Sequence, residues 1–279
     1  MDAKKIFYRV LPKRPTECAF YLNKSICSDK SLVDKMRDFL GKVYGVKESD
    51  DVKIVEQLGK KLNCDKESCI LAKKEFKEYA GDQLVKNNLK NFKPEGPAKT
   101  FDLLSNFNID DVMSQWDQKF GGNFLHIEFQ MRDFEKVRTR LATINLAREI
   151  RSGKKTFGVV LNTDYSVGPG IHWFCLFGDF RDPKQYTLEF FNSSGNLPLP
   201  EVQAWLHKTK AVLEKETNVD TKIIIVTRME HQKDEHSCGP YSLFYIWCRL
   251  HGIPYQFFGN NRIPDELMHE YRKHLFRHY

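Results

Sequence analysis

The sequence has no apolar run of the roughly 18 residues that a membrane-spanning helix needs. Its first fifteen residues lack the apolar core of a secretory signal peptide, and no internal repeat or low-complexity tract is present. We therefore expect a soluble, non-secreted protein. At 279 residues, 41% of them hydrophobic and 13% aromatic, the chain can form one large domain or one domain with an appendage.

Cysteines are few, scattered and odd in number: the chain has seven. This pattern favours a reducing compartment over a disulfide framework. Cys64 and Cys69, together with Cys18 and Cys27, leave a zinc site open as an alternative. Their C-x4-C spacing is wider than the C-x2-C of a zinc knuckle, so we expect free thiols and no metal site.

The net charge of +7 is unevenly distributed. Residues 1–97 hold 21 Lys and Arg against 15 Asp and Glu, whereas residues 98–279 hold 23 against 22. A basic surplus of this kind suits contact with nucleic acid or an acidic protein. The alternative, an ordinary solvated helical surface, explains it equally simply and is the interpretation we favour.

The first third of the chain has the periodicity of amphipathic helices. Apolar residues recur three and four positions apart in 31–45 and 68–92. Segment 93–100 contains two prolines and a glycine, as a linker does. We predict a helical arm domain over 1–95 and a core domain over 96–279.

The pattern changes after residue 155, where short β-rich runs alternate with turns and helices. Strands mixed with a buried helix, behind a helical first third, indicate an α+β fold. The predicted strands are 156–163, 171–180, 186–192 and a buried strand at 221–227, and the predicted helices are 201–216, 238–254 and 264–276.

Cys238 begins the most apolar of these helices, which has Pro240 in its first turn and Gly252 as its cap. The free N–H groups of a helix start lower a thiol pKa and favour the nucleophilic thiolate. Gly239 allows another backbone to approach closely, as an acyl-enzyme site requires. The competing interpretation is that Cys238 is a small hydrophobic residue at the end of a core helix.

A nucleophilic thiol needs a base, and the base needs an orienting partner. His172 opens a strand after a Gly-Pro-Gly loop, and Asn192 closes the next strand. An antiparallel hairpin places the two side by side, so that the amide can fix the imidazole tautomer. His231 and His236 are nearer to Cys238 in sequence but lie in a charged loop, and Asn192 also suits a turn start.

Gln232 lies six residues before Cys238. Its side-chain amide is a candidate donor to the oxyanion of a tetrahedral intermediate, together with the backbone N–H of Cys238. Glutamine in a polar loop also needs no functional explanation, so this assignment depends on the others.

The order of these residues resembles the ubiquitin-like-protein-specific protease clan, which includes the SUMO proteases and the adenovirus protease. The motifs that carry the likeness are His-Trp at 172–173, the amide at 192 and Q-x5-C-G at 232–239. Papain has the opposite order, cysteine first. The likeness is closest to the SUMO-protease-like polyprotein proteases of African swine fever virus, and its segments are 103–110, 157–173, 190–196, 238–246 and 274–277, with a weaker one at 64–69.

The resemblance implies a papain-like core with a central mixed sheet and a buried catalytic helix, preceded by a helical arm. It implies cleavage of structural polyproteins after Gly-Gly during virion maturation, in the host cytoplasm and the virion, without cofactor or metal. Catalysis would fall to the residues at 172, 192 and 238, with the amide at 232 at the oxyanion. Substrate contacts would fall to Trp173, Asn162 and Gly239.

Three alternatives accompany this prediction: a deconjugase for SUMO or ubiquitin, an inactive binding protein on the same fold, and a protease activated by nucleic acid. One departure from cellular members is Asn192, where they carry aspartate. A neutral amide orients imidazole but stabilises imidazolium less. Asp179 or Asp182 could in principle replace it, although neither lies at the matching strand end.

Overall fold

The computed structural model describes residues 2–12, 15–99, 101–226 and 228–277. By their contacts these residues form two units: 2–12 with 97–272, and 15–96 with 273–277. The predicted division is an arm over 1–95 and a core over 96–279. The contacts instead group residues 2–12 with the larger unit and residues 273–277 with the smaller unit. Among the described residues, no helix is both long enough and apolar enough to span a membrane.

Helices and strands follow one another along the described chain. The helices are α1 (Ala3–Val10), α2 (Lys30–Tyr44), α3 (Asp51–Leu62), α4 (Glu67–Ala72), α5 (Lys74–Ala80), α6 (Asp82–Leu89), α7 (Asn106–Lys119), α8 (Arg140–Thr143), α9 (Leu146–Arg151), α10 (Pro200–Thr217), α11 (Cys238–Leu250), α12 (Gln256–Asn260) and α13 (Asp265–Leu275). The strands are β1 (Phe124–His126), β2 (Gln130–Met131), β3 (Thr156–Asn162), β4 (Trp173–Asp179), β5 (Gln185–Phe191) and β6 (Asp220–Ile225).

The smaller unit is helical, as predicted, and its helices α2–α6 enclose their own apolar core. The predicted helix over 68–92 is instead three short helices, α4, α5 and α6. The chain leaves helical geometry at Lys73 and again at Gly81, whose φ of +94° is readily adopted only by glycine. Apolar periodicity alone does not reveal such breaks.

The expectation of free thiols throughout the chain is wrong for the smaller unit. Cys18 is disulfide-bonded to Cys27 and Cys64 to Cys69, with Cα–Cα distances of 4.8 and 5.5 Å. These pairs also exclude the alternative of a four-cysteine zinc site. The odd cysteine count comes from the larger unit, where three buried cysteines are free.

The larger unit is built on a mixed sheet of order β1-β3-β4-β5-β6, with β2 also paired to β3. The central three strands are antiparallel, whereas β1 and β2 run parallel to β3, and β6 runs parallel to β5. Strand β6 was predicted to be buried, but it forms the sheet edge and only Thr221 in it is buried. Position 227 of that predicted strand lies outside the described residues.

Both faces of the sheet are covered, which explains why its central strands are continuously apolar. Alternate residues such as Val159, Leu176 and Leu188 pack with α10 in one core cluster. The opposite face packs on α11, where Phe191 stacks on Tyr245 with ring centroids 4.5 Å apart. Every residue of α11 is buried, as predicted, so this helix holds its first residue rigidly against the sheet.

A buried ion pair that sequence analysis did not find ties α11 to the sheet. Arg249 donates two hydrogen bonds of 2.7 Å to Glu189, one to each carboxylate oxygen, and one of 3.0 Å to Asp179. Tyr245 donates a further hydrogen bond to Glu189 at 2.6 Å. Glu189 is completely buried and Arg249 is 5% exposed, so each charge depends on the other.

Candidate active site

The turn before α11 is fixed by one carboxylate. Asp234 accepts hydrogen bonds from the backbone N–H of His236 and Ser237, at 3.1 and 2.9 Å, and from the Ser237 hydroxyl at 2.6 Å. Ser237 immediately precedes the helix, and Cys238 is its first residue. The thiol is therefore carried on a rigid helix start, at the end of a turn with little freedom.

The structure brings His172 and Asn192 together as the predicted hairpin requires. Strands β4 and β5 pair with Cys175 opposite Phe191, so that continuing this register makes His172 and Asn192 diagonal neighbours on one face of the hairpin. His172 Nε2 lies 2.7 Å from Asn192 Oδ1. The same oxygen accepts hydrogen bonds from the backbone N–H and hydroxyl of Ser194, at 3.1 and 2.9 Å.

These contacts fix the protonation pattern of the imidazole. The Ser194 N–H can only donate, so the Asn192 atom that it contacts must be the oxygen. His172 Nε2 must then carry the proton that it donates to this oxygen, which leaves Nδ1 as the basic nitrogen. A neutral amide thus selects the tautomer without supplying a charge.

Trp173 joins this pair to the candidate nucleophile. Its backbone N–H lies near enough to the Cys238 thiol to lower the thiol pKa, so the residue after the candidate base is a neighbour of the sulfur. Its indole N–H donates to the carbonyl oxygen of Leu104 at 3.0 Å. The Leu104 side chain in turn packs where a Cβ on Gly239 would lie, 3.1 Å away. Two of the predicted substrate residues, Trp173 and Gly239, therefore share one wall.

A cavity of about 430 Å³ opens at the thiol. Asn162, the third predicted substrate residue, lines it and accepts hydrogen bonds from the backbone N–H of Asp164 and Ile171 at 3.0 and 2.8 Å. Sequence analysis missed other lining residues, although Leu104 lies in one of the segments that carried the resemblance. The missed lining residues include Leu103, Leu104, Phe129, Met131 and Ile171.

Gln232 is nearly buried, and its side-chain amide is held by the loops on either side. Its oxygen accepts a hydrogen bond from the Ser193 hydroxyl at 2.8 Å, and its nitrogen donates to the Asp234 carbonyl at 2.8 Å. The residue is not among those lining the cavity at Cys238. An amide nitrogen carries two hydrogens, so one remains after the contact with Asp234.

The ionisation of Cys238 differs from the predicted thiolate. Burial raises the pKa of the Cys238 thiol, and this outweighs the opposite effect of the N–H groups of Trp173, Gly239 and Cys238 itself. Burial also lowers the pKa of His172, despite the hydrogen bond to Asn192, which raises it. The predicted depressed thiol pKa is therefore wrong for the free protein, because a helix start inside the core is also desolvated.

The rival bases and orienting residues lie elsewhere. His231 is completely buried and accepts a hydrogen bond from the Ile263 N–H at 3.0 Å, and burial lowers its pKa to about 4. His236 faces Asp234. Asp179 ends β4 at the strand terminus away from His172 and is bound by arginines, and Asp182 lies in the exposed turn that follows.

Known proteins that are similar to this chain include viral cysteine proteases. A cysteine protease of African swine fever virus is 37% identical over 280 residues, covering 94% of the chain and 96% of that protein. A putative thiol protease of Acanthamoeba polyphaga mimivirus is 25% identical over 255 residues, 91% of the chain and 76% of that protein. A crystal structure of the African swine fever virus protease matches with a TM-score of 0.81 and 32% identity, over 97% of the chain and 98% of that structure. No family model matches the chain.

Proposed function

Because the chain belongs to the family of the African swine fever virus cysteine protease, we propose that it cleaves viral structural polyproteins after Gly-Gly during virion maturation. The observation that carries this proposal is the position of the Cys238 thiol. The thiol lines a cavity and lies near Trp173, the residue that follows His172. His172 is in turn oriented by its hydrogen bond to Asn192. We place this activity in the host cytoplasm and the virion.

The proposed reaction is acyl transfer between neutral groups. As the Cys238 sulfur attacks the glycine carbonyl, His172 Nδ1 takes the thiol proton, while Asn192 holds the Nε2–H and so keeps the ring in place. The carbonyl becomes an oxyanion, which the Cys238 N–H and the remaining N–H of Gln232 stabilise. The intermediate collapses to a thioester as His172 protonates the leaving amine.

Water completes the cycle. His172 removes a proton from a water molecule, the resulting hydroxide attacks the thioester carbonyl, and the thiol leaves with the proton returned from His172. The product is a chain ending in Gly-Gly, and the free enzyme is restored. No step of this sequence calls on a group from outside the chain except the substrate and water.

The specificity for glycine follows from the walls beside the sulfur. The Trp173 indole is fixed by its hydrogen bond to the Leu104 carbonyl, and Leu104 packs closely against Gly239. Because this hydrogen bond to the main chain holds the indole in place, Trp173 cannot move easily to admit a bulky side chain. Side chains on the two residues before the scissile bond would meet this wall, so discrimination against them is steric.

The neutral resting pair predicts a particular pH profile. Activity requires neutral His172, so kcat/KM should fall as pH drops through a pKa below the ordinary 6.5, because burial lowers it. The value of kcat/KM should not change between about pH 7 and pH 8.5, because His172 is already neutral throughout that range. The measurement is kcat/KM on a Gly-Gly peptide as a function of pH. A bell-shaped profile, in which kcat/KM falls again within that range as pH rises, would instead indicate a thiolate–imidazolium pair.

Peptide cleavage tests the proposed function. A peptide with Gly-Gly-X at its centre should be cut after the second glycine, as mass spectrometry of the products will show. Replacing either glycine by alanine should lower kcat/KM by about 100-fold, the effect of a steric clash of a few kcal/mol. Replacement of X by another residue is the matched control and should change the rate much less. Cleavage after other residues, or equal rates with alanine, would refute the proposal.

A further inference from the structure

Three side chains that the proposed reaction does not use converge beside the turn before Cys238. His269 Nε2, on α13, lies 2.8 Å from Asp234 Oδ2, and His236 Nε2 lies 3.3 Å from the same oxygen. The two imidazole rings are stacked, with centroids 5.3 Å apart. Phe101 packs edge-on against both rings at 5.1 and 5.0 Å, which covers one side of the cluster.

The three ligand atoms are close enough together to share one metal ion. All three lie within 4.8 Å of one another. Around a tetrahedral Zn²⁺ with bonds of about 2.0–2.1 Å, ligand atoms are separated by about 3.3 Å. Small side-chain rotations would therefore seat an ion between them. Two imidazoles and one carboxylate form a donor set that suits zinc and leaves a fourth position for water.

One nitrogen of the cluster lies near a carboxylate without being hydrogen-bonded to it: His236 Nε2 is 3.3 Å from Asp234 Oδ2. His236 Nε2 is buried, yet within the described part of the chain it makes no hydrogen bond. A buried polar atom of this kind normally has a partner, and a bound ion would supply one. The backbone behind it is already fixed, because Arg272 donates to the His236 carbonyl at 2.5 Å.

We propose that Asp234, His236 and His269 bind a zinc ion. The ion would join α13 to the turn that carries Cys238, because Asp234 also holds the backbone N–H of Ser237 through its other oxygen. Its role would be structural, because none of its three ligands has a part in the proposed acyl transfer. Zinc binding at this site is therefore independent of the proposed substrate.

The test measures zinc binding on the Cys238→Ala protein, because a thiol beside an imidazole can itself capture zinc. Titration of Zn²⁺ against a chromogenic chelator should show one site. His269→Gln, which changes a residue of α13 and none in the turn before α11, should weaken the affinity at least about tenfold, as loss of a ligand does. His207→Gln, at an exposed position of α10, is the matched control and should bind like the parent.

X-ray absorption at the zinc edge should show two imidazole nitrogens and oxygen ligands. Should His269→Gln fail to fold, as judged by circular dichroism, His236→Gln provides the same test. Absence of zinc binding, or equal affinity in both ligand variants and the control, would overturn the inference. Sulfur ligands in the absorption spectrum would do so as well, because they would place the ion at cysteines.

Discussion

Replacing Cys238 by alanine should lower kcat/KM on a Gly-Gly peptide by at least about 10⁴, the loss expected when a covalent nucleophile is removed. The variant should keep the fold, because the side chain is small and lies at the first residue of α11 rather than within it. Residual activity would come only from substrate binding and the oxyanion donors.

Cys248→Ala is the matched control for this prediction. Cys248 lies in the same helix and is fully buried, so its loss should cost some stability but change kcat/KM only slightly. Both variants should be compared with the wild type at a temperature where circular dichroism shows each to be folded. Retained activity in Cys238→Ala would show that the nucleophile has been assigned to the wrong residue.

Replacing Arg249 by leucine should lower the free energy of unfolding by about 3–5 kcal/mol, measured by urea denaturation. The arginine neutralises the fully buried Glu189, and its loss leaves that carboxylate without a countercharge. The larger unit should lose this stability, because Arg249 and Glu189 both belong to it. The activity of the folded fraction should change far less than its stability.

Two further variants separate charge from packing in that prediction. Glu189→Leu combined with Arg249→Leu should recover much of the lost stability, because no unpaired charge then remains in the core. Arg181→Leu removes a more exposed partner of Asp179 and should cost about 1 kcal/mol or less. An Arg249→Leu protein as stable as the wild type would show that the buried pair contributes nothing.

The features predicted correctly from the sequence are those that a local pattern determines. A thiol at the start of an apolar helix and a hairpin with histidine and asparagine at its open end are both short-range features. The predicted hairpin is confirmed by the contact between His172 and Asn192. The resemblance to the viral protease family is likewise confirmed, because order and spacing of motifs survive where overall identity is modest.

What the sequence could not show depends on contacts between distant segments. The wall that Leu104 forms against Gly239 joins residues more than 130 positions apart, and no periodicity encodes it. The pKa of Cys238 depends on how deeply the helix start is buried, which overrode the expected effect of its N–H groups. Similarly, pairing of Cys18 with Cys27 depends on how the smaller unit folds.

The measurement that bears most directly on the central claim is covalent trapping with a Gly-Gly peptide whose C-terminal carboxylate is replaced by a vinyl methyl ester. The thiol that attacks the scissile carbonyl should add to this group, and intact-mass spectrometry should show one adduct per chain. Peptide mapping should place that adduct on Cys238, and the Cys238→Ala protein should gain none. An adduct on Cys175 or Cys248, or no adduct on an enzyme that cleaves Gly-Gly peptides, would contradict the account.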